Sequence, residues 1–357
     1  MTAIGLDGVV AAETLMSLVD GQNGRLVIRG RELADLVAED GFEGAAALLW
    51  QAVSDPAPTR AAVAAGLGAA RVAAWALVPR FLAAARGKAP IDALMLGATL
   101  LDDAGDSPAE WRLTAALAVF LPALLRDRDG LGPVAPDAAL GHAADILRMI
   151  RGAEATAAEV AGLDAYITTV IDHGLNASTF AARVIASTQA GLVAAVAGGI
   201  GALKGPLHGG APGPVLDMLD AVGTPGNATA WLAAALDRGE RLMGFGHRIY
   251  RVRDPRADML KAAVRRLDAK AGRIALAEAV EGAALALLAD RYRNRRLETN
   301  VEFYTALLLD ALGLPRDTFT AMFAVGRVAG WTAHALEQVR GGRLIRPESR
   351  YVGPLAA

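Results

Sequence analysis

Cysteine is absent from the 357-residue chain, which excludes disulfides, thiolate zinc sites and a cysteine nucleophile. Aromatic residues make up only 5% although 54% of the chain is hydrophobic, so the apolar mass is Ala, Leu and Val, a composition suited to closely packed helices rather than sheets. A surplus of charge is also missing: 36 basic residues stand against 38 acidic ones, for a formal net charge of -2, and there is no overall field to attract nucleic acid or an anionic membrane. The first residues lack a basic segment followed by an apolar block, so no signal peptide is read there and a cytoplasmic location is expected. One charge-free run, Val184 to Leu203, is long enough to span a bilayer. With Ser187, Thr188, Gln189 and several glycines in it, a buried core helix is expected instead. What remains for chemistry is His, Asp, Glu and Arg, and the expected partner is a small molecule.

The length suggests one large domain and a smaller one. Turn signals at Asp20-Gly21 and Asn23-Gly24 in VDGQNG predict a small hairpin near the start. From Glu32 to about Leu124 the pattern is alanine-rich and helical, broken at Asp55-Pro56-Ala57-Pro58 and Gly105-Asp106-Ser107-Pro108. A further helix is expected over Thr156 to Val170, and from Pro315 the chain returns to helix before a final loop with Arg346-Pro347. No repeat or low-complexity linker marks a boundary.

Five histidines are few enough to weigh singly. His142 reads as a surface or half-buried residue of an ordinary helix and takes no role; His334 reads as structural. His208 in LHGG and His247 in GFGHR sit in glycine turns where a ligand can come close to the ring, although a turn histidine can equally clamp its own loop. His173, before Asn176, Ser178 and Thr179, is either a cap-type structural group or a ligand donor. Arg248, Arg251, Arg253 and Arg256 cluster behind His247. They are either a solvated basic face or a site for a di- or tri-anion, which guanidinium grips bidentately. Arg327 and Arg346 lie among apolar neighbours in sequence and call for anionic partners. Glu302 opens an apolar helical run after Asn300, a possible cap. By itself it is a helix-dipole charge, but with two imidazoles and several arginines it completes a kit for proton abstraction beside a carbonyl.

The segments LDGVVAAET with VDGQNGRLVIRG, DHGLNASTFAARVIAST, GALKGPLHGGAP, GFGHRIYRVRDPRA, NVEFYTALLLDALGLP and RVAGWTAHALEQ together resemble the citrate synthase family, in that family's order, from about Leu6 to Gly353. The compact length resembles its dimeric bacterial and archaeal members. The resemblance implies an all-α fold of two domains, with a large domain of roughly residues 1–209 and 313–357 and a small domain of 210–312. It implies a homodimer and an acyltransferase that condenses acetyl-CoA with oxaloacetate and hydrolyses citryl-CoA to citrate and CoA. No metal and no cofactor beyond the co-substrate acetyl-CoA are expected.

Residue by residue, the resemblance implies that His208 stabilises the enolate of acetyl-CoA, that His247 donates to the oxaloacetate carbonyl, and that Glu302 removes the methyl proton. It places His173, Arg256 and Arg327 on oxaloacetate and has Arg346 lent across the dimer interface. Arg251 would contact a CoA phosphate, and the backbone of Met243, Gly244, Phe245 and Gly246 would line the CoA path. Two departures stand out. Most members have aspartate at the position of Glu302, and a misplacement of about 1 Å can cost on the order of 100-fold in rate; a subset of bacterial homologues is similar in carrying glutamate, so activity is expected. RGRELADL also lacks the aromatic residue that often follows RG. The alternatives are a 2-methylcitrate synthase using propionyl-CoA, since one methylene is discriminated by only about 1–3 kcal/mol, and a catalytically impaired paralogue that binds CoA or dicarboxylate.

Overall fold

The structure, a computed structural model, describes residues 4–6, 8–209, 212–247, 249–267 and 271–354. The expected hairpin is the first half of a three-stranded antiparallel sheet, β1 (Ser17–Asp20), β2 (Arg25–Ile28) and β3 (Arg31–Glu32), with Ser17 opposite Ile28 and Asp20 opposite Arg25. Along β2, Leu26 and Ile28 face the core and alternate with less buried neighbours, as a half-buried strand requires.

Helices follow: α1 (Leu33–Asp35), α2 (Gly41–Gln51), α3 (Arg60–Ala74), α4 (Val78–Ala85), α5 (Pro90–Ala98), α6 (Ala109–Arg128), α7 (His142–Arg151), α8 (Ala157–Thr169), α9 (Ala177–Ser187) and α10 (Leu192–Leu203). After the glycine turns come α11 (Pro212–Val222), α12 (Ala228–Asp237), α13 (Pro255–Arg266), α14 (Ala271–Arg291), α15 (Val301–Ala311) and the long α16 (Phe319–Gly341). Several starts are dictated locally. Thr156 and Glu159 form a reciprocal capping box on α8. Asn176, Asp254 and Asn300 cap α9, α13 and α15 with their side-chain oxygens.

The charge-free run is not one helix, contrary to expectation. Gln189 (φ 63°) and Gly191 (φ 89°) turn the chain between α9 and α10, which pack against each other. Asp103 fills this turn: its Oδ1 accepts the Val193 N–H at 2.9 Å, and a Cβ on Gly191 would lie 1.9 Å from Asp103 Oδ2. By length and composition the stretch Arg60–Ala85 is apolar enough to cross a membrane. In this fold it is α3 and α4, broken at Trp75–Leu77, with Val63, Leu67, Phe81 and Ala85 buried and α6 packed on both helices.

At the centre lies α16, buried from Phe319 through Ala335 on almost every side and packed on α2, α5, α6, α8, α9 and α10. His142 also differs from expectation. It is fully buried, stacked on Phe42 with ring centroids 4.9 Å apart and 3.2 Å from Arg71 Nη1, while Arg71 pairs with Asp145 at 2.8 Å. Its partners come from α2 and α3, so nothing local announced its burial. Beyond α11, α13 packs on both α8 and α15, and α12 on α14. Helix α15 also packs directly on α8.

Candidate active site

His208 is held by a turn after α10, in which its N–H donates to Gly205 O at 2.9 Å and Gly209 N–H donates to Leu203 O at 3.0 Å. The ring reaches back to the start of α9. There the Ser178 N–H donates to His208 Nε2 at 3.3 Å, and Ser178 Oγ lies 2.8 Å from the same nitrogen. A backbone N–H can only donate, so Nε2 carries the lone pair and, in the neutral ring, the proton sits on Nδ1. Ser178 is itself fixed: Trp331 Nε1–H donates to its Oγ at 3.1 Å, and Asn176 Oδ1 lies 2.8 Å from Oγ. Burial, together with the charges of Arg327 and Arg256, holds His208 neutral by lowering its pKa to about 4.

His247 ends the GFG turn, where Gly244 (φ 86°) and Gly246 (φ 83°) occupy left-handed backbone. A Cβ on Gly244 would stand 2.8 Å from a ring carbon of Phe303. The turn is laced to the residues before α15: Gly246 N–H donates to Glu298 O (2.7 Å), Asn300 N–H to Gly244 O (2.9 Å) and Asn300 Nδ2–H to Gly246 O (2.8 Å). His247 Nδ1 accepts two backbone N–H groups, from Ile249 and Tyr250, each at 3.0 Å. The ring proton is therefore on Nε2. Arg256 Nη2 lies 3.4 Å from that Nε2, two donors facing the same point, which is where an acceptor oxygen would satisfy both. Asp254 anchors Arg256, accepting Nε at 3.0 Å and Nη2 at 2.8 Å, and also accepts the Val301 N–H at 3.2 Å. Burial, then Arg256, lowers His247 to about 4.

Glu302 stands in the first turn of α15, its N–H donating to Asn300 Oδ1 at 3.0 Å. The residue is half-buried, but its Oε2 is shut off from solvent and has no hydrogen-bond partner among the described residues. Burial pushes its pKa up to about 7; Asp254 adds to the rise, and Arg256 and Arg327 oppose it. A carboxyl group poised near neutrality and not hydrogen-bonded suits a general base.

His173 is buried, with Nε2 3.2 Å from Tyr250 OH and its ring centroid 5.6 Å from that of His247. Burial and the nearby Arg256 keep it neutral, well below the ordinary histidine pKa. Arg327, from α16, is almost fully buried, donates Nε–H to Val170 O and lies over the Phe323 ring at 4.8 Å. Among the described residues it has no carboxylate at salt-bridge distance, and burial lowers its pKa to about 10 while Asp172 resists the shift. A buried guanidinium without a contact counter-ion is an anion site in waiting. The charges of Arg256 and Arg327 both act on His173, His208 and Glu302, and that of Arg256 on His247. Segments far apart in sequence thus converge on one polarised group of side chains.

Other expected residues lie beside this group or on the surface. Arg346 is exposed on the extended tail; it lines a cavity of about 700 Å³ between the N-terminal arm and the tail, with the apolar Leu15 and Phe180 and the polar Thr14, Arg183 and Glu337. Arg251 is exposed, and its N–H is bound to Gly21 O at 2.8 Å. Met243 is half-buried, Gly244 and Phe245 are buried, and the backbone at 244 and 246 already bonds to 298 and 300. Arg253 is paired with Asp258 and Glu281, and Arg248 lies outside the described residues. Sequence reasoning missed Ser178 and Tyr250 as partners of the histidines, and Asp254 as the joint between Arg256 and α15. The only hint was that Ser178 follows a capping asparagine.

The family profile "Citrate synthase, C-terminal domain" matches residues 5–348. The chain is 41% identical over 371 residues to a putative citrate synthase 2 of Mycobacterium tuberculosis, covering 98% of this chain and 92% of that protein. It is 38% identical to the citrate synthase of Haloferax volcanii (98% and 95% covered) and 37% identical to a 2-methylcitrate synthase of M. tuberculosis (98% and 90%). The crystal structure of citrate synthase from Thermotoga maritima superposes with a TM-score of 0.88 at 32% identity, covering 100% of this chain and 97% of that one.

Proposed function

The chain belongs to the citrate synthase family and is an acyltransferase of the citrate synthase type, and from that premise we propose how its own residues carry the condensation of acetyl-CoA with oxaloacetate. Oxaloacetate sits with its carbonyl oxygen between His247 Nε2–H and Arg256, the paired donors that face one another at 3.4 Å. Arg256 and Arg327 take carboxylate oxygens, and His173 completes the polar wall. Glu302, as carboxylate, removes a proton from the methyl group of acetyl-CoA. His208 Nδ1–H donates to the thioester oxygen, where the negative charge of the enolate develops. The enolate carbon bonds to the oxaloacetate carbonyl carbon while His247 stabilises the oxygen that becomes the hydroxyl. Water then cleaves the citryl thioester to citrate and CoA.

Both imidazoles are suited to this by tautomer: each has one nitrogen occupied by backbone N–H and the other free to donate. That pairing of fixed neutral donors with a carboxyl group raised to about 7 carries the reading. In the division we propose, residues 1–209 and 313–357 form the large domain and 210–312 the small one, which closes on oxaloacetate and shields the enolate from water. The protein works as a homodimer in the cytoplasm, and the exposed Arg346 reaches the cleft of a second copy. Arg251 and the 243–246 turn face CoA, and the reaction needs no metal and no cofactor beyond acetyl-CoA.

The second reading, propionyl-CoA in place of acetyl-CoA, is favoured by the likeness to a 2-methylcitrate synthase. A CoA-thiol release assay with oxaloacetate, run side by side on the two thioesters, separates them. Faster release from acetyl-CoA is expected. Comparable or faster release from propionyl-CoA would give the methylcitrate reading, and binding without release from either would make the chain a catalytically impaired paralogue.

A further inference from the structure

The turn VDGQNG has no part in the reaction described so far, yet it is built against it. Gly21 O accepts the Arg251 N–H at 2.8 Å. A Cβ on Gly21 would lie 2.4 Å from Ile249 O and 2.7 Å from Ile249 Cγ2, and one on Gly24 (φ +64°) would lie 2.7 Å from Val252 Cγ2. The tip of the hairpin therefore rests directly on residues 249–253, with no room for any side chain at Gly21. It is a stiff tip: Asp20 Oδ1 accepts the N–H groups of Gln22 (3.2 Å) and Asn23 (3.1 Å), and Asn23 Nδ2–H reaches Asp20 Oδ2 at 2.7 Å.

The residues under the tip are those that set the site. Ile249 and Tyr250 supply the two N–H groups on His247 Nδ1, and the Tyr250 hydroxyl meets His173. At the other end of the same strand, Ser17 Oγ bonds to Asp172, the neighbour of His173, and accepts the Gly174 N–H at 3.0 Å. Strand β1 and the turn after it thus touch the His173 loop at Ser17 and the His247 loop at Gly21, four positions apart at about 3.3 Å of rise per residue.

We infer that Gly21 is a positioning residue: through it the β1–β2 hairpin fixes the 249–253 segment, and so the tautomer and aim of His247. Any atom added at Gly21 pushes Ile249 and Tyr250 away from His247 Nδ1. The ring then loses the two donors that reserve Nδ1 as acceptor, rotates, exchanges tautomers, and no longer points Nε2–H at the position opposite Arg256. The inference rests on the reading of His247 as the donor to the oxaloacetate carbonyl.

The test is Gly21→Ala in the full chain, read in two ways. Steady-state kinetics should show KM for oxaloacetate raised at least tenfold with a much smaller change in KM for acetyl-CoA. Nitrogen-15 NMR of the imidazoles should show His247 as a single Nε2–H tautomer in the wild type and as a mixture in the variant. Gln22→Ala, whose exposed side chain lies in the same turn, should change neither. Asp20→Ala loosens the tip without adding bulk, and should move both readouts in the same direction if Gly21→Ala folds poorly. A pure Nε2–H tautomer with unchanged oxaloacetate KM in Gly21→Ala and Asp20→Ala would overturn the inference. His247→Gln, assayed alongside, keeps the two questions apart: if its oxaloacetate KM stays at the wild-type value, the reading of His247 fails, while the NMR comparison still decides what the hairpin does to the ring.

Discussion

The Ser178 N–H points at His208 Nε2 from 3.3 Å, and this one contact decides which nitrogen of the ring faces the cleft. With Nε2 occupied, Nδ1–H is the free donor, and with burial holding the pKa near 4 the ring meets the thioester oxygen as neutral imidazole.

His208→Ala should lower kcat by about 100- to 1000-fold, the range for loss of one oxyanion donor, with oxaloacetate affinity little changed. Calorimetric titration of oxaloacetate beside the rate assay checks the split. A parallel loss of oxaloacetate affinity would mean that His208 belongs to the ketoacid site.

Ser178→Ala keeps the N–H but removes the hydroxyl that accepts Trp331 Nε1–H. A buried donor left without a partner costs about 1–3 kcal/mol, so urea unfolding should show a loss of that order. The His208 tautomer should persist, because the backbone contact that sets it remains.

The pH profile follows from two opposite shifts. Glu302 must be ionised to act, and its pKa is raised to about 7, so kcat/KM should climb through that pH and level off above it. Stability moves differently. His208 and His247 have folded values of about 4, below the free histidine value of about 6.5, so the unfolded chain binds more protons between these values. Their contribution is full above about 6.5 and is lost as pH falls toward 4. Glu302 has the reverse sign, its stabilising effect fading as pH rises from about 4.5 to 7. His142 and His173, also lowered by burial, join the first group. Tm should therefore fall between pH 6.5 and 4, as thermal melts in a buffer series would show.

Much of this site was legible beforehand because its signals are local. Glycines around His208 and His247 marked backbone that is not packed helix, and Asn300 two residues before Glu302 marked a helix start; both are present. What was not legible depends on partners distant in sequence. The charge-free run breaks because Asp103, far upstream, fills the turn at Gly191. His142 is buried because Arg71 and Phe42 reach it from other helices. By contrast, the final loop expected around Arg346-Pro347 is present, and Arg346 is exposed on it.

Arg71 and Asp145 form a buried pair between α3 and α7 that touches none of the candidate site residues. Asp145→Ala should destabilise the fold by about 3–5 kcal/mol, because it strands a buried guanidinium, while leaving kcat per folded molecule unchanged. Denaturant titration with active-site counting separates these effects.

The most direct measurement is CoA-thiol release from acetyl-CoA and oxaloacetate by the wild type and by Glu302→Gln, with oxaloacetate binding measured on the same samples. Release by the wild type, its loss in the variant and retained binding are the predicted result. Wild-type release from the amide variant would contradict the assignment of proton abstraction to Glu302, and with it the convergence of His208, His247 and Glu302 on one methyl group.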